Sequence, residues 1–316
     1  MTTDAAAFKL NFTLAGIGRV LRAIATNQVA GWFPGWYVRI TGQTGRGSEP
    51  ETPAQVAAYF RACFDDYRAR LVADGDIVTC LAGKTVLEYG PGDMPGVALL
   101  LLAHGAAQVI CVDRFPMLHL SARNAAVLAE LLAGLDDAAR ARVRACLRDP
   151  DDPAQGFRPE RLRYQVQASG LSELSDAVDL IISRAVLEHV NDLPASFADM
   201  YRALRPGGRM VHQVDLRSHG LHRQHPLDFL VWPAWLWNLM FSNKGTPNRW
   251  RVDRYRALVA QSGFVDIQVE ATHRLESARV EAIRAHLAAP FRTLPAEDLA
   301  WLGCWLAGRK PSGVTV

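Results

Sequence analysis

The apolar positions of this chain follow two rhythms, one after the other. Between residues 8 and 25, Leu10, Phe12, Leu14, Ile17, Val20, Leu21 and Ile24 recur at helical spacing with Arg19 and Arg22 among them, which predicts an amphipathic helix. The stretch 31–37, Gly-Trp-Phe-Pro-Gly-Trp-Tyr, mixes aromatic residues with turn formers, and 42–53 has the composition of an exposed loop. A second helix is predicted from 53 to about 73. From residue 85 short apolar runs take over. A strand at 85–88, a glycine turn, a leucine-rich helix at about 96–104 and a strand at 108–113 make a βαβ unit, whose crossover is expected to be right-handed.

Further strands are predicted at 163–166, 178–183, 209–216 and 265–271, with helices at 194–204 and 253–262. The run 299–310 alternates well enough to supply a last strand, against a competing helix. Segment 135–158 reads as an insertion, a charged helix followed by a Pro/Asp-rich loop, and 217–248 interrupts the pattern again. The order implies an α/β fold with a doubly wound, mostly parallel sheet.

Composition narrows the class of protein. With 316 residues, 49% hydrophobic and 21% charged, the chain can bury a large core and is not of a disordered type. Its net charge of only +3 gives no general electrostatic case for nucleic acid, so none is expected as a partner. The five cysteines are scattered without metal-type pairing, and reduced thiols are expected. No apolar run has transmembrane length and no leader pattern stands out, so a cytoplasmic location is expected.

Chemistry enters at Val86-Leu-Glu-Tyr-Gly-Pro-Gly-Asp93. A carboxylate, Glu88, closes a buried strand and two glycines follow, which lets backbone approach a ligand closely. The next helix offers N-terminal amides to an anionic group, and Glu88 suits an ammonium. Asp113, 21 residues beyond Gly92 at the end of the following strand, can accept hydrogen bonds from two ribose hydroxyls. A nicotinamide dinucleotide fingerprint needs glycine at position 95, where Pro95 stands, and no Gly-Lys-Ser/Thr ending marks a triphosphate loop.

Two later motifs, Asp179-Leu-Ile-Ile-Ser-Arg-Ala-Val-Leu-Glu-His-Val190 and Leu204-Arg-Pro-Gly-Gly-Arg-Met-Val211, follow in order. With the first, they make the chain resemble the class I S-adenosylmethionine-dependent methyltransferases, firmly over 84–216 and more weakly to the C-terminus. The resemblance implies a seven-stranded Rossmann-like methyltransferase domain at 81–316, with insertions at about 135–160 and 217–250, the second a helical, aromatic lid. Residues 1–80 are then an N-terminal helical extension or lid. S-adenosylmethionine is the implied cofactor and S-adenosylhomocysteine the product.

By the same resemblance Glu88, Tyr89, Gly90 and Gly92 surround the methionine part, Asp113 holds the ribose, Arg114 and Phe115 border the adenine, and Ser183 and Arg184 belong to the wall below the sulfonium. Where many relatives carry an acidic residue for the adenine amine, this chain has Gln167-Ala-Ser-Gly170, so Ser169 is the expected substitute. Arg184-Ala-Val-Leu-Glu-His189 resembles a metal-associated Glu-x-x-Glu-His stretch of some methyltransferases, but Ala185 removes its first carboxylate, and no metal site is expected.

The remaining candidates are polar groups beyond the fifth strand. His189, His219 and Asp215 are the expected catalytic residues, and His212, Trp232, Arg249 and Tyr255 the expected substrate contacts. His222 lies in the same polar stretch. Trp232, Trp235 and Trp237 suit a pocket roof, a dimer seam or a membrane surface, so monomer, homodimer and peripheral membrane contact all stay open. The acceptor is expected to be a small molecule, lipid-linked or saccharide-linked, methylated on a hydroxyl or amine. The alternative is a non-catalytic S-adenosylmethionine-binding regulatory or interaction protein.

Overall fold

A computed structural model describes residues 14–41, 51–72, 75–219, 225–245 and 247–313. The start of the predicted helix at 8–13, most of the loop at 42–53, and His222 lie outside the described residues.

Seven strands form one sheet: β1 (Thr85–Tyr89), β2 (Gln108–Asp113), β3 (Leu162–Val166), β4 (Val178–Arg184), β5 (Leu204–Asp215), β6 (Val265–Arg274) and β7 (Trp301–Arg309). Their order is β3-β2-β1-β4-β5-β7-β6, mostly parallel with one antiparallel hairpin. β1 sits between β2 and β4, parallel to both, and is buried from Val86 to Tyr89, which explains its continuous apolar run. The chain winds outward from β1 to β2 and β3, then crosses back to β4 on the other side of β1. That reversal makes a crevice beyond the carboxyl ends of β1 and its neighbours, the usual ligand position in such sheets.

The chain divides into two compact units. One holds residues 41–183, 198–211 and 309–316, the other residues 1–40, 184–197 and 212–308. Within the first, helix Pro53–Leu71 begins in a capping box between Thr52 and Gln55, with Pro53 in the first turn, where its missing N–H costs nothing. Its Phe60 ring covers Gly96, the first residue of helix Gly96–Ala103, which is buried at every position and apolar all round. Helices Ala122–Ala133 and Asp137–Arg144 are capped by the Ser121 and Asp136 side chains.

A buried carboxylate organises the same unit. Asp199 Oδ2 accepts hydrogen bonds from Tyr89 Oη (2.6 Å), Ser172 N (2.7 Å) and Ser172 Oγ (2.8 Å), and Oδ1 from Glu173 N (3.0 Å) and Arg202 Nη2 (2.6 Å). It therefore joins the last residue of β1 to the segment after β3.

In the other unit, helices Leu14–Trp32 and Ala234–Phe241 pack together although more than 200 residues separate them. Buried Asn27 fastens the pair. It donates to Leu239 O (3.0 Å) and Ser242 Oγ (3.2 Å) and accepts from Asn243 N (2.8 Å). Trp237, Met240, Phe241, Val280, Ile283 and Leu287 belong to the apolar cluster that this helix pair joins. Fully buried Arg251 donates to the carbonyls of Leu216, Leu299 and Trp301.

Two expectations are corrected, and one pair of alternatives is decided. The aromatic stretch at 31–37 is helical: the first helix runs on to Trp32 and a second spans Pro34–Thr41, with the proline in its first turn. β5 starts at Leu204 instead of 209, because Gly207 and Gly208 exchange backbone hydrogen bonds with Lys310. At 299–310 the strand prevails over the helix from Trp301 onward, after the short helix Ala296–Ala300.

A Cβ at Gly96 would lie 2.3 Å from the Phe60 ring, whose position the surrounding helices restrict. Gly96→Ala is expected to destabilise the protein by about 1–3 kcal/mol through overpacking, measured as a lowered midpoint in urea unfolding.

Candidate functional site

The residues expected to hold the cofactor cluster at the carboxyl ends of β1 and β2. Gly90 (φ 65°) and Gly92 (φ 75°) both take the left-handed conformation, which a side chain would strain, and the Gly90 amide bonds to Val112 O (2.8 Å). The turn is thereby tied to β2, one residue before Asp113. Ser183 is buried on β4 in register with Tyr89.

Glu88 and Asp113 are both buried. Burial pushes the Glu88 carboxyl up to about 8, partly offset by the Ala98 backbone, and its side-chain partner is the Cys111 thiol, Sγ to Oε2 3.8 Å. Burial likewise raises Asp113 to about 6, although Oδ1 accepts from the Phe115 amide (3.1 Å) and the Arg114 and Gly92 amides also favour its ionised form. Two acceptor-rich groups on adjacent strands are thus met by backbone amides and one thiol. This donor set fits a ligand that presents an ammonium to one and hydroxyls to the other. Burial also lowers Arg114, whose guanidinium lies 5.4 Å from the Phe115 ring. Ser169 Oγ accepts from the Leu171 amide (3.2 Å), and the Tyr89 hydroxyl is given over to Asp199.

Sequence reasoning passed over Asp93. Asn124 Nδ2 reaches its backbone oxygen (3.2 Å) and Oδ2 (3.3 Å), and the His119 amide donates to the same backbone oxygen (3.0 Å), so the far end of the glycine turn is anchored too. The asparagine lies 31 positions away and carries no local signal.

In the other unit the structure brings the three expected catalytic residues together. His189 and His219 rings are 4.9 Å apart, and His219 Nε2 is 3.7 Å from Asp215 Oδ2. Arg217 grips Asp215 with Nε to Oδ1 at 3.0 Å and Nη2 to Oδ2 at 2.6 Å. Burial works against ionisation of Asp215, yet His219 and Arg217 hold its carboxyl well below the ordinary range. Burial and the neighbouring His219 press His189 down to about 3, so its ring is neutral.

Glu188 belongs to this cluster as well, with His189 Nε2 4.0 Å from its Oε1. Both of its oxygens are buried without a close hydrogen bond, and burial raises it well above the carboxylate range. Ligand-capable atoms of Glu188, His189 and His219 lie within 4.8 Å of one another. The turn carrying Glu188 and His189 leaves β4 through Ala185, at a strained φ of 52°. Asn248 braces it, donating from Nδ2 to Leu187 O and Val190 O (both 2.8 Å).

The four expected substrate contacts do not converge as a polar set. His212 is fully buried with its ring edge toward Phe197, and burial alone pushes it down to about 3. Tyr255 is fully buried. Arg249 donates to Trp232 O (2.6 Å), and its guanidinium lies over the Trp237 and Phe291 rings. An open cavity of about 350 Å³ in this unit is lined instead by Arg19, Arg22, Tyr37, Trp237, Phe241 and Lys244, with His219 at its wall. The cations of that cavity were not singled out for chemistry in the sequence.

Among solved structures, similarity extends to a Haemonchus contortus phosphoethanolamine N-methyltransferase 2 in complex with phosphomonomethylethanolamine and S-adenosylhomocysteine. It is 18% identical, with 79% of this chain and 52% of that one covered and a TM-score of 0.44. The chain thus spans about half the length of that protein. A Mesorhizobium loti S-adenosylmethionine dependent methyltransferase is 20% identical, with 72% and 92% covered and a TM-score of 0.39. A possible exported protein from Bordetella parapertussis is 17% identical, with 95% and 100% covered and a TM-score of 0.42. A search of curated proteins finds no match. The profile of a methyltransferase domain family matches residues 57–269, which include the glycine turn, Glu88, Asp113 and the Glu188–His189 turn, and on that match the chain belongs to the S-adenosylmethionine-dependent methyltransferases of class I.

Proposed function

We propose that the chain transfers a methyl group from S-adenosylmethionine to a hydroxyl or amine of a small-molecule acceptor. The observation that carries this reading is the pairing of Glu88 and Asp113, two buried carboxyl groups whose ionisation burial opposes, at the ends of adjacent strands beside two left-handed glycines. The cofactor, when bound, supplies an activated methyl group on a sulfonium. Glu88 receives the ammonium, the Gly90–Gly92 backbone gives room for the amino-acid part, Asp113 accepts from the ribose, and Arg114, Phe115 and Ser169 border the base. Ser183 and Arg184 form the wall beneath.

On the acceptor side, neutral His189 takes the proton of a hydroxyl, with His219 beside it. The Asp215 carboxylate offsets the charge that His189 gains. His212, Trp232, Arg249 and Tyr255 serve by holding the surrounding walls. An amine that arrives deprotonated needs no base. The reading requires no resident metal. It is tested by following label from S-adenosylmethionine into a fractionated metabolite extract; tight S-adenosylhomocysteine binding without transfer to any fraction would favour the non-catalytic alternative.

Because the Glu88 carboxyl is held at about 8 against an ordinary 4.5, the cost of ionising it in the folded protein is absent at low pH. It grows as pH rises through that interval and is complete above about 8. Glu88→Gln should therefore gain stability relative to the parent between about pH 5 and about pH 8, read from denaturant midpoints at both pH values. The same variant should bind S-adenosylhomocysteine more weakly. It should also lose the proton release that the parent shows near neutral pH, measured by calorimetry in buffers of different ionisation enthalpy.

For a hydroxyl acceptor, His189→Gln should lower turnover by about 10²–10⁴-fold and leave S-adenosylhomocysteine affinity unchanged. With His189 titrating at about 3, the parent's rate should show no histidine limb between about pH 5 and about pH 7. A rate that falls through that interval would move the base to another residue.

A further inference from the structure

The cavity in the unit containing His219 has a one-sided charge. Arg19, Arg22 and Lys244 line it, and no acidic side chain does so among the described residues. Arg19 and Arg22 stand three positions apart on one helix, so their side chains project to the same side, and Lys244 follows the helix that Asn27 fastens to it. Burial first, then the charge of Arg22, holds Lys244 down to about 8, which means that the site concentrates positive charge at a cost to its own ionisation. The remaining wall is aromatic, from Tyr37, Trp237 and Phe241. A ligand matching this wall carries a negative group joined to an apolar body.

The helices that build the cavity also carry an unusual surface. Trp32 is 77% exposed and Trp235 69%, and Leu21, Phe33, Trp36 and Ile40 are exposed as well. Isolated exposed apolar side chains are ordinary in a folded protein. Five large ones on three helices of one unit and Phe33 at the link between two of them, together with the exposed cation Arg39, form the pattern of a surface that meets a lipid interface. Indole rings favour that depth, and basic side chains favour anionic headgroups. No described helix is long and apolar enough to cross a membrane, so contact would be with the surface only.

We propose that this cavity binds the anionic headgroup of an amphiphilic acceptor, and that the exposed rings of Trp32, Phe33, Trp36 and Trp235 seat the chain on the membrane surface from which the amphiphile is drawn. The acceptor half of this statement rests on the methyltransferase reading above; the binding half does not. The cations take the charged group, the aromatic wall takes the first part of the apolar body, and His219 stands at the same cavity.

The full chain should float with vesicles of phosphatidylcholine containing one-third phosphatidylglycerol, and about tenfold less with phosphatidylcholine alone. Trp32→Ser with Trp36→Ser alters only exposed side chains and should lower vesicle binding about tenfold or more with S-adenosylhomocysteine affinity unchanged. Arg22→Gln with Lys244→Gln should abolish the discrimination between the two vesicles. Octyl phosphate should protect Lys244 of the parent from acylation, read by mass spectrometry, whereas octanol should not. Equal flotation with both vesicles, no flotation, or a solution dimer that occludes the tryptophans would overturn the proposal. Failure to bind S-adenosylhomocysteine with these vesicle results intact would instead count against the cofactor reading.

Discussion

The cofactor end of the sheet depends on the carboxylate of Asp199, which gathers the Tyr89 hydroxyl, the Ser172 amide and hydroxyl, the Glu173 amide and the Arg202 guanidinium. A buried charge is costly unless its lone pairs are met, and here they are met from three separate stretches of chain. Tyr89 is thereby fixed, and the residue after it begins the glycine turn. The turn is held at its other end by Asn124 on Asp93. Neither anchor needs to touch a ligand, and together they let the two glycines keep a left-handed backbone without unravelling the strand behind them.

Against that fully satisfied group, Glu88 shows the opposite design. It lies one residue before Tyr89 yet keeps a thiol as its side-chain partner, and no charged group of its own unit offsets its burial. The same contrast recurs in the other unit, where Asp215 is saturated by Arg217 and Glu188 is left with little. Satisfied carboxylates hold shape, and unsatisfied ones store a preference for whatever supplies the missing donors.

The layers of the fold were legible because parallel strands buried on both faces leave continuous apolar runs, as at 85–88 and 108–113, and because turn chemistry concentrates at Gly90 and Gly92. The aromatic stretch at 31–37 was misjudged for a definable reason. Pro34 breaks a helix in its interior but starts one in its first turn, and local sequence does not say which applies. Residues 204–208 look like a turn, and become strand only because Lys310, over 100 positions away, supplies backbone partners. Asp113 was visible from its distance to Gly92. Asn124, Asp199 and the trio Arg19, Arg22 and Lys244 were not, since each gains meaning through a partner brought close by the tertiary fold.

Arg251 gives the segment between β5 and the helix Val252–Gln261 an unusual property. Its guanidinium holds the carbonyl of Leu216, the last residue before that segment, while its own backbone stands immediately after it, and it also binds Leu299 and Trp301 at the entry to β7. The segment thus leaves and returns at one point, like a loop of rope passed through a ring. Removing that guanidinium would therefore part the two ends of the segment from each other and from the entry to β7 in a single step.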